Sequence, residues 1–297
     1  MKTDFQNITI LGGGLLGGSL ALALGGLENP PTVSLWARKQ ETVEAARELG
    51  IAGATGDLGE AVRDADLIVL AVPVGSMAAL LTAALEARLR DGCLITDVGS
   101  VKRVPHQQLG PLLIGRKIQF IGSHPMAGSE RNGLAAVTAN LFKNAACLLT
   151  NDDGAPAELT AALERFWKTI GCRTSWMSAA VHDELVARIS HLPHLIAASA
   201  ARVCLKDPAE GRFGGGGLRD KGIAIKAWAA QCQIQLAGLQ AARITADRAP
   251  GQRRTVIAAA TQSCEVGHIT IHAALRTASA SSTQRASLNA RRRSPIS

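Results

Sequence analysis

Gly12, Gly14 and Gly17 stand as G-x-G-x-x-G directly after the apolar run NITIL. That spacing can cradle a dinucleotide. One glycine makes a tight turn, one lets the backbone approach a pyrophosphate, and one lets a helix pack closely on a strand. The following helix would turn unpaired N–H groups and its positive dipole end toward the phosphates. About twenty residues on, where a ribose-reading carboxylate would mark NAD, the chain carries Arg38 and Lys39. A guanidinium suits a 2′-phosphate, so NADP is the expected cofactor, with NAD as the alternative. A solvated strand end also fits Arg38. A second segment, FIGSHPMAGSER at 120–131, ends an apolar run with a histidine, a proline and a Ser-Glu pair. Loops at the carboxyl edge of a sheet are where α/β proteins place their chemistry. A turn with a solvated histidine fits the same residues.

These residues need elements to hold them. NITIL reads as a short buried strand, followed by an apolar helix from about Leu15 to Leu24. TVSLWA is a second strand and ETVEAARELG an amphipathic helix closed by glycine. DLIVLAV, GSMAALLTAALEARL and CLITDV continue as strand, helix and strand. KIQFIGSHP supplies the next strand and NAACLLT one more. Such alternation implies an α/β, doubly wound parallel sheet of Rossmann type, over residues 1–177. The loops DVGSVK (Asp97–Lys102) and GSHPMAGSE (Gly122–Glu130) should then open on one edge of the sheet. HDELVARISHLPHLIAASAARV begins an all-α region at 178–220, with His191 and His194 three apart on one face. Packing at a helix start accounts for His191. A metal site from His182, His191 and His194 has no carboxylate or cysteine spacing to support it, and no metal is expected.

The chain has 297 residues, which suits about two domains, and 47% apolar content, which is ordinary for a globular protein. Aromatics make up 3%, with no Tyr, which argues against a stacking surface for nucleic acid. The net charge of +8 is unevenly placed. Residues 221–297 hold 11 Lys and Arg against 2 Asp and Glu, whereas residues 1–220 hold 21 against 22. Six scattered cysteines without a C-x-x-C pair fit a reducing compartment, so a cytoplasmic protein is expected. Residues 8–27 are apolar enough to raise a membrane span, but seven of the twenty are glycine and no basic cluster flanks them. No membrane association is expected.

On the glycine fingerprint, DLIVLAVPV, DVGSVK, GSHPMAGSE, HDELVARISHLPH and GGGGLRD, the chain resembles the prephenate/arogenate dehydrogenase family over about residues 7–220. The resemblance implies oxidation of a small-molecule cyclohexadienol, prephenate or arogenate, with loss of its ring carboxylate as CO2, in tyrosine biosynthesis. It makes His124 the catalytic base that takes the proton of the C4 hydroxyl, and Ser100 the hydroxyl that orients its ring. A neutral imidazole suits that role. The resemblance also puts Ser129, Glu130, His194 and Asp220 at the substrate, and Leu15, Leu16, Val72 and Pro73 beside the cofactor. Aromatisation drives the decarboxylation, so no metal is needed. The family is dimeric through carboxyl-terminal helices, and a homodimer is expected where those helices form.

The resemblance stops after Asp220. The family motif runs on into Thr-Arg, whose arginine clamps a substrate carboxylate, but this chain reads Lys221-Gly222-Ile223. An aliphatic chain cannot replace a bidentate guanidinium at a dianion site. The segment RTASASSTQRASLNARRRSPIS has no apolar periodicity. A reading-frame change just after Asp220 explains both the lost motif and the lost acids; a diverged carboxyl region is the competing account. A nucleic-acid-binding tail lacks interleaved aromatics. Two other functions fit parts of the sequence. Ile223 and the tail would suit a non-catalytic nucleotide-binding remnant. A 3-hydroxy-acid dehydrogenase would want a lysine on the first helix after the nucleotide domain, and none occurs before Lys206.

Overall fold

The computed structural model describes residues 3–87, 89–128, 133–193 and 195–196. Its first half alternates strand and helix: β1 (Asn7–Leu11), α1 (Leu15–Gly25), β2 (Thr32–Trp36), α2 (Gln40–Glu48), β3 (Ala54–Thr55), α3 (Leu58–Val62), β4 (Leu67–Leu70), α4 (Val74–Glu86), β5 (Leu94–Asp97), α5 (Arg103–Leu113) and β6 (Gln119–Phe120). The six strands form one parallel sheet in the order β3-β2-β1-β4-β5-β6. This is the expected Rossmann-type architecture.

The strand sequences show why the sheet is covered on both faces. All four residues of β4 are buried, as are all four of β5. Alternate residues enter opposite cores: Leu67 and Val69 pack with Ile8, Ile10, Leu20 and Leu24, while Ile68 and Leu70 pack with Leu11, Met77 and Leu81. The period of two thus divides one apolar run between two helical layers. Residues 8–27 form β1, a turn and the 11-residue α1. Among the described residues no helix is long and apolar enough to cross a membrane.

The expected strand KIQFIGSHP is two strands in two sheets. β6 stays in the parallel sheet, while β7 (Gly122–Pro125) joins β8 (Ala146–Thr150) and β9 (Arg173–Trp176) in a second sheet of order β7-β8-β9. NAACLLT therefore does not extend the parallel sheet; β8 runs antiparallel to β7 and parallel to β9. The cause lies at Asp97. Ile121 still donates to the Ile95 carbonyl (3.0 Å), but the Ser123 N–H goes to the Asp97 side chain (3.1 Å). A carboxylate thus takes an amide of β7, and the chain leaves the parallel sheet there. Gly122 sits at the crossing, where a Cβ would come within 2.9 Å of the Lys102 stem and 3.2 Å of His106. The helix α6 (Ala157–Thr169) buries Leu163, Phe166 and Trp167. After β9, α7 (Ala179–Val186) packs on α5 and β8, and a π-helical turn, Ala187–His191, follows it.

Candidate active site

The glycine turn links β1 to α1 at the carboxyl edge of the sheet. Gly12 has φ +129°, and a Cβ there would run into the Ala71 carbonyl beyond β4. A Cβ on Gly17 would collide with the Gly12 carbonyl, so these two glycines close the strand–helix contact. Gly14 differs: it precedes the first residue of α1, and a Cβ there would meet no protein atom within 4 Å. The space beside it is of the kind that close pyrophosphate approach requires. No acidic residue stands in the first turn of α1 to repel phosphate. Leu15 and Leu16 open the helix half-buried, Arg38 and Lys39 lie exposed at the end of β2, and Val72 and Pro73 link β4 to α4. These parts meet where the strand order reverses between β1 and β4, which fits a nicotinamide dinucleotide.

Beside this crevice, the end of β5 holds a buried polar knot. Asp97 accepts from the Gly99 N–H (2.9 Å) and the Ser123 N–H (3.1 Å), and it pairs with the Lys102 ammonium. Both side chains of that pair are fully buried. Burial draws the Lys102 pKa down, against the opposing pull of Asp97. Ser123 exchanges a hydrogen bond with Thr96 (2.7 Å) and accepts one from the Trp167 indole (2.9 Å). These contacts fix β7, and with it His124, against the end of β5.

His124 lies inside β7, 8% exposed. Its Nδ1 is 2.9 Å from Nε2 of His182 on α7. His182 Nδ1 donates to Asp183 Oδ1 (2.8 Å), and Asp183 also accepts the backbone N–H groups of Lys102 (2.7 Å) and Arg103 (3.1 Å). Burial holds the His124 pKa well below the usual imidazole value, helped next by the charge of Lys102. Burial alone would raise Asp183, but the hydrogen bonds from His182 and the two amides outweigh it and leave its pKa lowered. A neutral imidazole therefore stands near an ionised carboxylate, linked through a second ring.

Ser100 is half-buried in the same β5–α5 turn as Lys102, so that turn and β7 converge as expected. The ring partner of His124 Nδ1 is His182, a residue to which the family resemblance gives no such task. His191, read as a packing residue, lies near enough for its charge to act on His124. Ser129, Glu130, His194 and Asp220 lie outside the described residues, as do Ile223 and the basic tail.

The family model "Prephenate dehydrogenase, nucleotide-binding domain" matches residues 20–176. The chain belongs to the prephenate dehydrogenase family. A cyclohexadienyl dehydrogenase of Zymomonas mobilis is 40% identical over 196 residues, 66% of each chain. A prephenate dehydrogenase of Lactococcus lactis is 34% identical over 65% of this chain and 52% of its own. The match thus spans between half and two thirds of these relatives. In fold, the chain is similar to Aquifex aeolicus prephenate dehydrogenase, solved with hydroxyphenyl propionate and NAD+. That likeness has a TM-score of 0.68 at 22% identity, over 95% of this chain and 99% of that one. The matches favour neither a non-catalytic remnant nor a 3-hydroxy-acid dehydrogenase. Within this family frame, the residues that sequence reasoning passed over are Asp97, Lys102, His182 and Asp183. The one signal for them is position: the first pair brackets the DVGSVK loop, and the second opens HDELVARISHLPH.

Proposed function

We propose that this member of the prephenate dehydrogenase family is an NADP-linked oxidoreductase that oxidatively decarboxylates prephenate or arogenate in the cytoplasm. The carrying observation is His124: a buried imidazole kept neutral, with Nδ1 committed to His182 and Nε2 left as the nitrogen for proton transfer. The bound nicotinamide would supply a hydride acceptor at the substrate's C4. His124 takes the C4 hydroxyl proton as the C–O bond becomes a carbonyl. The bond to the ring carboxylate then breaks, its electron pair enters the ring, CO2 leaves, and the proton returns from His124 to the phenolic oxygen. Ser129, Glu130, His194 and Asp220 are proposed as substrate-side partners, and Ser100 as a hydroxyl that helps orient the His124 ring. Burial of His124 excludes bulk water from the proton transfer. The glycine turn, Leu15, Leu16, Val72 and Pro73 hold the dinucleotide. The solved Aquifex relative carries NAD+; the exposed Arg38 and Lys39 support the phosphorylated form here.

The test is an assay of the purified chain with each substrate and each cofactor. Reduction of NADP by prephenate or arogenate supports the proposal; tight cofactor binding without turnover of either substrate sinks it. Arg38→Ala should raise the KM for NADP roughly tenfold while leaving that for NAD in place. Gel filtration tests the proposed homodimer. Translating the other two frames of the coding DNA beyond Asp220 tests the proposed frame change, which requires a Thr-Arg pair there.

A further inference from the structure

The sequence motifs assign no task to His182 or Asp183, yet both are committed. Asp183 Oδ1 takes the Lys102 N–H (2.7 Å) and the His182 Nδ1–H (2.8 Å), while Oδ2 takes the Arg103 N–H (3.1 Å). Two backbone amides at the start of α5 thus fix a carboxylate of α7 in place. The next link is His182 Nε2 to His124 Nδ1 at 2.9 Å, between a fully buried ring and a nearly buried one.

We infer that Asp183 and His182 are positioning residues that hold His124 in its Nδ1–H tautomer and aim its Nε2 lone pair at the substrate hydroxyl. The inference rests on the reading of His124 as the base. An ionised carboxylate can only accept, so the His182 proton sits on Nδ1. In a neutral His182 ring, Nε2 is then an acceptor, and the proton between the two rings belongs to His124 Nδ1. Only that arrangement leaves Nε2 of His124 without a proton. The opposite tautomer would put a proton where the substrate's must go. When His124 takes the substrate proton, the new imidazolium keeps donating from Nδ1, and the line of acceptors ends on Asp183.

The groups facing His124 come from five parts of the chain: Lys102 before α5, with its Asp97 partner on β5; His182 on α7; His191 on the π-helical turn; and Cys147 on β8, whose thiol burial keeps protonated. Asp183 is the carboxylate that reaches His124 through another ring.

Ring 15N spectra of the full-length protein grown on labelled histidine test the assignment without any turnover, with His124→Asn identifying the signals. Wild type should show His124 Nδ1 protonated and Nε2 not. His182→Phe should shift that ring toward the Nε2–H form and lower kcat roughly 10²-fold, with KM within about threefold. His182→Gln, whose amide oxygen can accept the same proton, should recover about tenfold of the loss. A wild-type His124 protonated on Nε2 overturns the inference, as does a His182→Phe enzyme with unchanged kcat. Should His182→Phe fail to fold, the wild-type spectrum and the glutamine variant still decide. A wild type that turns over neither substrate defeats the proposed function, while the spectrum still decides the tautomer.

Discussion

Among the described residues two buried histidines, His106 and His182, donate to carboxylates, and only one of them leads to the candidate site. His106 on α5 places Nδ1 2.6 Å from Asp153 and Nε2 2.7 Å from the Thr150 hydroxyl of β8, with its ring edge-on to Phe120. Both nitrogens end on fixed groups, so the ring ties a helix to a strand. His182 begins the same way, with Nδ1 on Asp183, but its second nitrogen meets another imidazole. Burial and a carboxylate partner are common to both. What separates them is where the line of hydrogen bonds ends. A ring with both nitrogens on fixed protein groups can only hold structure, whereas a ring that passes its polarity on can prepare a base.

The sharpest way to break this contrast is to remove the end of the line. His124→Asn keeps a small polar side chain in β7 but loses the proposed proton acceptor, and kcat/KM should fall roughly 10³-fold with affinity for the nicotinamide cofactor unchanged. Steady-state kinetics and cofactor titration read the two effects separately. Full activity in this variant would make His124 as structural as His106.

Acid should act next on the end of that line, His124. The His124 pKa is lowered by burial first and by neighbouring cations second. The proposed base therefore stays neutral below the usual imidazole value of about 6.5, and the acid limb of kcat/KM should lie below that pH. Stability follows with a fixed sign. A folded pKa below the unfolded one means that the unfolded chain takes up the proton first. This site's contribution is complete above about pH 6.5 and is lost as pH falls from there toward the folded pKa, by up to about 1.4 kcal/mol per unit. Urea midpoints in mild acid should drop less in His124→Asn than in wild type. An equal drop in both would assign the loss to other groups.

His106→Asn gives the converse result. Loss of the contacts to Asp153 and Thr150 should cost roughly 1–3 kcal/mol in urea unfolding, with kcat within about twofold of wild type. A large fall in kcat without loss of stability would erase the distinction between the two pairs.

What the sequence revealed follows the same division. The glycine turn and the apolar strands could be read because their cause is local: a spacing of three glycines, a period of two, a helix closed at Gly50. The histidine of GSHPMAGSE could be read only as a member of a motif. Its setting inside a strand of a second sheet could not, because the deciding contact joins Ser123 to the Asp97 side chain, 26 residues away. His182 and Asp183 look like ordinary polar residues near a helix start. Their roles depend on partners 58 and 80 or more residues distant, a separation that no local period encodes.

The smallest expected effect concerns a third carboxylate, far from either histidine in role. Glu164 on α6 accepts from the Thr174 hydroxyl (2.9 Å) and the Trp176 indole (3.1 Å) of β9, and pairs with Lys168 one turn on (2.7 Å). The bond from Lys168 first, and that from Trp176 next, hold its carboxyl down at about 2. A folded pKa below the unfolded one means that this contribution is present above the ordinary glutamate pKa and is lost as pH falls toward about 2. The cluster is solvated, with the Glu164 side chain 30% exposed, so Glu164→Gln should cost at most about 1 kcal/mol at neutral pH. The amide oxygen can still accept from the Trp176 indole while its NH2 donates to the Thr174 hydroxyl, and kcat should not change. Urea unfolding at neutral and strongly acidic pH checks both points: the gap between variant and wild type should close in acid. If it persists there, the loss belongs to the altered packing of β9 on α6 rather than to charge.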